Sequence, residues 1–166
     1  MQVKGSGGCG VNISDEELQR SPVSYINISF FVHATEDREK VLKAVSNCFP
    51  SIDFSKISFV CDSLYGHYRN PIIFFETRIK DKELIKNMIN DLSSKMSQES
   101  KSSLSSELDK YVGEDGSLYL RFDKQSSYNG VLRLCSSDPI RIKIRLSVSS
   151  KSPQELESVY KEMGLL

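Results

Sequence analysis

Short segments in which apolar residues run together or alternate with polar ones predict five strands. VSYINISFFVH at 23–33 is rich in β-branched and aromatic residues, which favour a pleated, partly buried surface. ISFVC at 57–61 and PIIFFETRIK at 71–80 flank the loop sequence GHYRNP and would form a hairpin. SLYLRFDK at 117–124 and PIRIKIRLSV at 139–148 alternate more regularly still.

Apolar residues at helical spacing predict two helices in the first part of the chain. The first is expected to begin at Thr35, whose hydroxyl would cap free amides, and to end at Pro50. The two acidic residues after Thr35 suit the positive end of a helix dipole. Residues 81–96 place their apolar side chains on one face, which is typical of an amphipathic helix.

Two further helices are predicted in the second part of the chain. The serine-rich segment MSQESKSSLSSELDK has Leu104, Leu108 and then Val112 at a spacing of four, which favours a solvated helix over a disordered linker. The sequence GEDG at 113–116 is typical of a turn. Pro153 suits the first position of a short terminal helix.

These elements predict a single α+β domain. Because the helices are amphipathic and at least three strands alternate, we expect a mainly antiparallel sheet with helices packed on one face. A chain of 166 residues with 39% hydrophobic residues can bury one such core. Along the chain we expect a flexible leader at 1–22, the α+β domain at 23–150 and a C-terminal helical tail at 151–166.

The charge is balanced overall but uneven along the chain. There are 22 basic and 22 acidic residues, so any nucleic-acid partner must be bound by a local excess of cations. Basic residues outnumber acidic ones by seven to two between 119 and 151. Acidic residues prevail between 81 and 116, by eight to five.

The four cysteines argue against a metal centre or a disulfide framework. There is no CxxC pair among them, and we interpret all four as reduced thiols: Cys9, Cys48, Cys61 and Cys135. No apolar run approaches the roughly 20 residues of a membrane helix. The first ten residues contain no hydrophobic secretory core. The sequence therefore predicts a cytoplasmic protein without membrane contact, metal or cofactor.

A row of cations on the last strand is the clearest candidate for chemistry. Arg141, Lys143 and Arg145 would project from one face about 7 Å apart, close to the spacing of phosphates along a nucleic acid. Arg121 is expected on a neighbouring strand. A sheet face that mixes cations with Tyr119 and other tyrosines suits phosphate contacts and base stacking. The alternative is an ordinary solvated sheet face.

The segment FDKQSSYNG at 122–130 is a second candidate. It follows a strand directly and offers Lys124, Gln125 and Tyr128 at the end of the sheet. These polar groups suit contacts to a ligand at the sheet end. The alternative is that Lys124 pairs with Asp123 or with a neighbouring strand.

The GHYRNP loop is the third candidate. His67, Tyr68, Arg69 and Asn70 offer stacking, phosphate pairing and an amide, and the flanking proline stiffens the loop. The chain has only one other histidine, His33, so a phosphodiesterase could use the pair as acid and base. The sequence shows neither the carboxylate cluster nor the oxyanion-stabilising motif that such an enzyme would add.

Three motifs in this order resemble a known family. HATED at 33–37, GHYRNP at 66–71 and LYLRFDKQ at 118–125 are similar to segments of small archaeal proteins described as predicted exosome subunits or RNA-binding proteins. The resemblance covers roughly residues 23–148. The family pattern has glycine where this chain has Arg69, so this chain adds a cation to the loop.

The resemblance implies an α+β fold similar to that of the ribosomal protein that binds 5S rRNA, with RNA binding and no enzymatic activity. We therefore expect a non-enzymatic RNA-binding protein linked to archaeal RNA processing or the exosome. The alternative is a protein-interaction module whose acidic helices at 81–112 dock onto an RNA-processing complex. A histidine-dependent phosphodiesterase is the third, less favoured class. The expected RNA contacts are His67, Tyr68, Arg69, Asn70, Arg121, Lys124, Gln125, Tyr128, Arg141, Lys143 and Arg145.

Overall fold

The computed structural model describes residues 22–147 and 151–166, so most of the predicted leader lies outside the described residues. Five strands form one antiparallel sheet in the order β2-β3-β1-β5-β4. This confirms the predicted α+β domain with an antiparallel sheet. The strands are β1 (Val23–His33), β2 (Val60–Tyr65), β3 (Pro71–Ile79), β4 (Leu118–Phe122) and β5 (Ile140–Leu146).

Six α-helices of the described chain accompany the sheet. A short 3₁₀ helix, Phe54–Lys56, precedes β2, and β2 begins three residues later than the pattern predicts. The helices are α1 (Arg38–Cys48), α2 (Lys82–Lys95), α3 (Gln98–Ser106), α4 (Leu108–Tyr111), α5 (Lys124–Tyr128) and α6 (Pro153–Glu162). No helix within the described residues is long and apolar enough to cross a membrane.

The core lies between one face of the sheet and the helices. Successive residues of a strand point to opposite faces, and one alternate set on β1 and β5 is at most 4% exposed. The amphipathic helices α1 and α2 bury their apolar stripes in the same cluster, as does α6 through Leu156 and Tyr160. The helices therefore cover one face of the sheet, as the pattern predicts. The buried sheet residues are Ile26, Ile28, Phe30, Val32, Ile140, Ile142, Ile144 and Leu146.

The prediction that Thr35 caps the first helix is wrong. Helix α1 begins at Arg38, and Asp37 is its N-cap, because the Asp37 carboxylate accepts hydrogen bonds from the backbone N–H groups of Glu39 and Lys40. A carboxylate caps an N-terminus and also opposes the positive end of the helix dipole. The residues between β1 and Asp37 form a turn instead, in which the Glu36 N–H donates to the His33 carbonyl.

The serine-rich segment forms two helices rather than one. The backbone leaves the α-helical region at Glu107, with φ −126° and ψ 34°, and this separates α3 from α4. Leu104 is fully buried, so α3 packs on the core and is solvated only on its outer side. The N–H of Leu134 donates to the Ser100 hydroxyl oxygen at 3.3 Å, which ties α3 to the segment before β5.

The two outer edges of the sheet differ. The outer side of β4 is covered by the chain itself, through bridges from Val112 to Leu118 and from Leu134 to Phe122. The outer side of β2 pairs with no described segment, and all six β2 residues are exposed. The bare β2 edge is therefore open to solvent.

Candidate nucleic-acid interface

One face of the sheet carries no helix among the described residues; we call it the open face. Cross-strand register assigns its side chains, because directly opposed residues of antiparallel strands point to the same side. Four aromatic rings and five cations lie on it, interspersed with a few polar groups. They are Tyr25, Phe31, Phe74, Tyr119, Arg78, Arg121, Arg141, Lys143 and Arg145.

Aromatic rings hold three of these cations in place. The Arg78 guanidinium lies 4.4 Å from the Tyr25 ring centroid, and that of Arg141 lies 5.6 Å from the Phe31 centroid. The Lys143 ammonium lies 5.2 Å from the Tyr119 ring, and its hydrogen bond to Tyr119 raises the lysine pKa. A cation over the face of a ring is attracted by the ring quadrupole. The rings therefore fix the positions of these three positive charges on the open face.

The β4–β5 part of the open face contains an uncompensated pair of cations. Arg121 is the direct cross-strand partner of Arg141, and among the described residues neither forms an ion pair with a carboxylate. Lys143 and Arg145, in contrast, both pair with Asp115 in the turn before β4. Partial burial disfavours the charged form of Asp115, but hydrogen bonds from Ser117 and these two cations outweigh it and lower the carboxyl pKa.

GHYRNP forms the tip of the β2–β3 hairpin, as predicted. The N–H of Gly66 donates to the Asn70 carbonyl, and the N–H of Arg69 donates to the Gly66 carbonyl, both at 2.9 Å. Arg69 adopts a left-handed backbone with φ 60°. This arrangement matches a three-residue hairpin loop whose last residue is left-handed, a position that favours glycine. Arg69 adopts this conformation while adding a charge to the loop.

The side chains of the tip point into solvent. Tyr68 is 82% exposed and Tyr65, at the end of β2, is 75% exposed. The His67 ring packs edge-on against Tyr68, with centroids 5.1 Å apart. Exposed rings beside a cation are free to stack on an unpaired base.

Four residues form an ionic cluster at the same end of the sheet; we call it the Lys124 cluster. The Lys124 ammonium donates to the Phe31 carbonyl at 2.6 Å, to the Glu36 carboxylate at 3.0 Å and to the Asp138 carboxylate at 2.9 Å. His33 Nε2 lies 3.0 Å from the other Asp138 oxygen. The three N–H groups of Lys124 are thus taken within the protein, and Lys124 ties the end of β1 to α5 and to the loop before β5.

Burial and hydrogen bonding act in opposite directions on Asp138. Partial burial disfavours its charged form, but hydrogen bonds from Lys124 and His33 outweigh this and lower its pKa below the ordinary 3.8. Asp138 also has a left-handed backbone, with φ 45°. The contacts of the Asp138 carboxylate with Lys124 and His33 therefore hold this residue in its left-handed conformation.

The Lys124 cluster also contains a set of atoms that could ligate a metal. Ligand atoms of His33, Glu36 and Asp138 lie within 4.8 Å of one another. The Lys124 ammonium contacts both carboxylates at about hydrogen-bond distance. Lys124 thus already provides the cation that balances these acidic groups.

Helix α5 places the remaining predicted residues apart from the open face. The Tyr128 carbonyl accepts a hydrogen bond from the Asn47 side chain at 2.9 Å, which fixes α5 against α1. Gln125 and Tyr128 line a shallow cavity of about 210 Å³ with residues of α1. The predicted contact residues therefore fall into three places: the β4–β5 cations, the hairpin tip and the rim formed by α5.

The two histidines have different neighbours. His33 contacts Asp138, whereas His67 contacts Tyr68. His33 pairs with Ile72, and Ile72 pairs with Leu64, so the backbones at His33 and Leu64 are about 10 Å apart at the usual strand spacing. His67 lies three residues beyond Leu64. The structure therefore gives the two imidazoles different contacts.

Several residues of the site were not identified from the sequence. Phe31 and Phe74, whose ring centroids are 4.9 Å apart, were not among the contacts predicted from the sequence. The alternation in β3 does place Phe74 on the same face as Arg78, which was an available signal. Glu36, Asp115 and Asp138 gave no signal of their ionic contacts, because their charged partners lie 14 to 105 residues away along the chain.

Comparison with known proteins identifies relatives for most of the chain. A family model described as RNA binding matches residues 25–146, from β1 to β5. The RNA-binding protein PAB1135 of Pyrococcus abyssi is 34% identical over 137 residues, which cover 82% of this chain and 88% of that protein. The uncharacterized protein MJ0213 of Methanocaldococcus jannaschii is 32% identical over 142 residues, which cover 83% of this chain and 93% of that protein.

Solved structures share the fold. Protein AF2318 of Archaeglobus fulgidus, assigned to DUF54, superposes with a TM-score of 0.72 at 29% identity, covering 85% of this chain and 99% of that one. Mth689, a DUF54 protein of Methanothermobacter thermautotrophicus, gives a TM-score of 0.68 at 24% identity, covering 85% of this chain and 97% of that one.

Proposed function

This chain belongs to the family described as RNA binding, and from that premise we propose that it binds RNA without catalysing a reaction on it. The observation that carries the proposal is the Arg121–Arg141 pair on the open face. Like charges directly opposite each other destabilise a sheet. A phosphate placed between the two guanidinium groups would relieve that repulsion, and arginine matches phosphate oxygens with paired N–H donors.

The row formed by Arg141, Lys143 and Arg145 extends this phosphate site along β5. Alternate strand residues lie about 7 Å apart, close to the phosphate spacing of a nucleic-acid strand. Lys143 and Arg145 already share Asp115, so we assign the larger share of binding to Arg121 and Arg141. The rings beneath Arg141 and Lys143 limit the entropy that these side chains lose on binding.

The hairpin tip is proposed as the second contact. Tyr68 and His67 would stack on an unpaired base, and Arg69 would pair with a phosphate. The Asn70 amide would add a hydrogen bond. Because stacking needs an unpaired base, we infer that the RNA is single-stranded or looped out at this end of the sheet.

At the rim, Gln125 and Tyr128 are proposed as peripheral contacts. Tyr128 is exposed, and both residues line the shallow cavity beside α1. Lys124 was expected to bind phosphate, but its ammonium donates to three groups of the protein. We propose that Lys124 supports the rim by holding its turns together.

The proposed setting is RNA processing in the cytoplasm, in contact with processing subunits such as those of the exosome. Support comes from the three motifs by which the chain resembles predicted exosome subunits. In the structure these motifs meet at one end of the sheet: HATED follows β1, GHYRNP joins β2 to β3, and LYLRFDKQ ends in α5.

The test compares Arg121→Gln and Arg141→Gln with Lys43→Gln, which removes an exposed cation from α1 on the helical side. Binding of a fluorescent single-stranded RNA and of an RNA hairpin is measured by anisotropy over a range of KCl concentrations. Each arginine variant should weaken binding and reduce the salt slope by about 0.7, the share of one phosphate contact. Arg121→Gln should also raise the free energy of unfolding by about 0.2 to 1 kcal/mol, because the cross-strand repulsion is relieved.

Lys43→Gln should change neither quantity. The proposal fails if wild-type binding is absent or independent of salt, or if Lys43→Gln weakens binding as much as the arginine variants do. The RNA should also remain full length after prolonged incubation with the protein. Cleavage that requires His67 or His33 would contradict the non-enzymatic role.

A further inference from the structure

The outer edge of β2 has a feature that RNA binding does not explain. Val60, Leu64 and Tyr65 are 67%, 45% and 75% exposed, and no described segment pairs with this edge. Alternate residues of an edge strand direct unpaired N–H and C=O groups outward. Natural edges are usually protected by charged side chains, especially lysine, by proline or by a bulge. VCDSLY has no lysine, proline or bulge, and Asp62 is its single charge.

The opposite edge shows that this chain can protect an edge. Bridges from Val112 and Leu134 cover the outer side of β4. Met96 also forms a β-bridge with Leu132, two residues before Leu134. The contrast indicates that the β2 edge is available to a further strand.

An apolar groove follows β2 on its helix-facing side. It has a volume of about 300 Å³, and Cys61 of β2 forms one wall. Phe54, Phe59 and Phe75 provide its aromatic lining, and the Arg38 guanidinium lies 5.1 Å from the Phe75 ring. A strand added to β2 would point every second side chain towards this groove, because side chains alternate between the faces of a sheet.

A second copy of this chain, paired in the symmetric register centred on Asp62, fits the edge poorly. An antiparallel copy that sets Val60 opposite Leu64 also sets the two Asp62 carboxylates directly opposite each other. Directly opposed like charges are destabilising. Asp62 is the only charged residue of β2, so charge complementarity calls for a cation on the added strand.

We propose that the β2 edge binds an extended segment of another protein by strand addition. The segment carries a basic residue opposite Asp62, apolar residues two positions away on either side against Val60 and Leu64, and a large apolar residue directed into the groove. Main-chain hydrogen bonds provide affinity in this mode of recognition, and alternate side chains provide specificity. This site is distinct from the acidic helices at 81–112 that the sequence suggested for protein docking.

The test uses two labelled heptapeptides, TVTKLVT and TVTELVT, which differ only at the residue opposite Asp62. Wild-type protein should bind the lysine peptide about fivefold more tightly than the glutamate peptide, the effect of exchanging an attractive for a repulsive cross-strand pair. Asp62→Lys should invert the preference. Asp109→Lys, which makes the same charge change on the exposed helix α4, should leave it as in wild type.

The position of the bound heptapeptide is tested by maleimide alkylation of Cys61. Mass spectrometry of the protein fragment that contains Cys61 measures the extent of alkylation. Cys61 is an exposed free thiol on β2, so the lysine peptide should slow its alkylation. Absence of binding, or equal preference in wild type and Asp62→Lys, overturns the proposal. So does sedimentation showing that the protein alone dimerises through this edge, or an RNA that protects Cys61 and displaces the peptide.

Discussion

At the scale of single residues, Arg69 occupies a position that carries a conformational cost. The last position of the hairpin loop requires a left-handed backbone, with φ 60°, and a residue with a Cβ pays about 1 to 2 kcal/mol in that region. Glycine would avoid most of this cost. An arginine kept at such a position is consistent with a contact that the loop makes outside the protein.

Comparison of Arg69→Gly with Arg69→Ala separates the two roles of this residue. Both remove the cation, so both should weaken RNA binding by the same factor. Only glycine relieves the left-handed backbone, and after the entropy of its unfolded state is counted it should be more stable than the alanine variant by roughly 0.5 to 1 kcal/mol. Urea unfolding and RNA anisotropy measure the two effects. Unequal affinities would show that loop shape, and not charge, determines binding.

At the scale of secondary-structure elements, helix α1 shows how local chemistry selects a boundary. The sequence HATED offers two capping residues, Thr35 and Asp37, and the structure uses Asp37. The Glu36 carboxylate and N–H both bond back to His33, which uses these residues in a turn. The helix therefore begins only after the turn is complete.

Alanine substitution at the two candidate caps should distinguish them. Asp37→Ala should lower the free energy of unfolding by about 1 kcal/mol, because two N–H groups lose their acceptor. Thr35→Ala should change it by less than about 0.5 kcal/mol, as is usual for surface positions. Thermal or urea unfolding of both variants gives the comparison. A larger loss at Thr35 would show that the helix starts earlier in solution.

At the scale of the whole molecule, the Lys124 cluster joins segments that are far apart in the chain. Lys124 lies 88 residues from Glu36 and 14 residues from Asp138. Its side chain is only 12% exposed, whereas those of the two carboxylates are 26% and 36% exposed. Without Lys124, the carboxylates would face each other with no balancing cation.

Lys124→Met should lower the free energy of unfolding by about 2 to 3 kcal/mol at neutral pH, less than for a fully buried pair because the carboxylates are partly exposed. The folded-state pKa of Asp138 is lowered, so its contribution is complete above the ordinary value of 3.8 and is lost as the pH falls through the lower folded value. The difference between wild type and variant should therefore shrink below about pH 4. Lys40→Met, which removes an exposed cation from α1, is the control. A difference that stays constant with pH would contradict the charge-based account.

The sequence by itself determined the strands, the amphipathic helices, the antiparallel sheet with one helical face and the cation row of β5, because these depend on periodicities of two and 3.6 residues within one segment. Tertiary structure decided which charges are free. Within the described part of the chain, Arg121 and Arg141 have no carboxylate partner, while Lys143, Arg145 and Lys124 pair with carboxylates on distant segments. The β2 edge pairs with no described segment, and the β4 edge is covered. Such outcomes depend on strand order and on contacts between distant residues, and no local pattern encodes them.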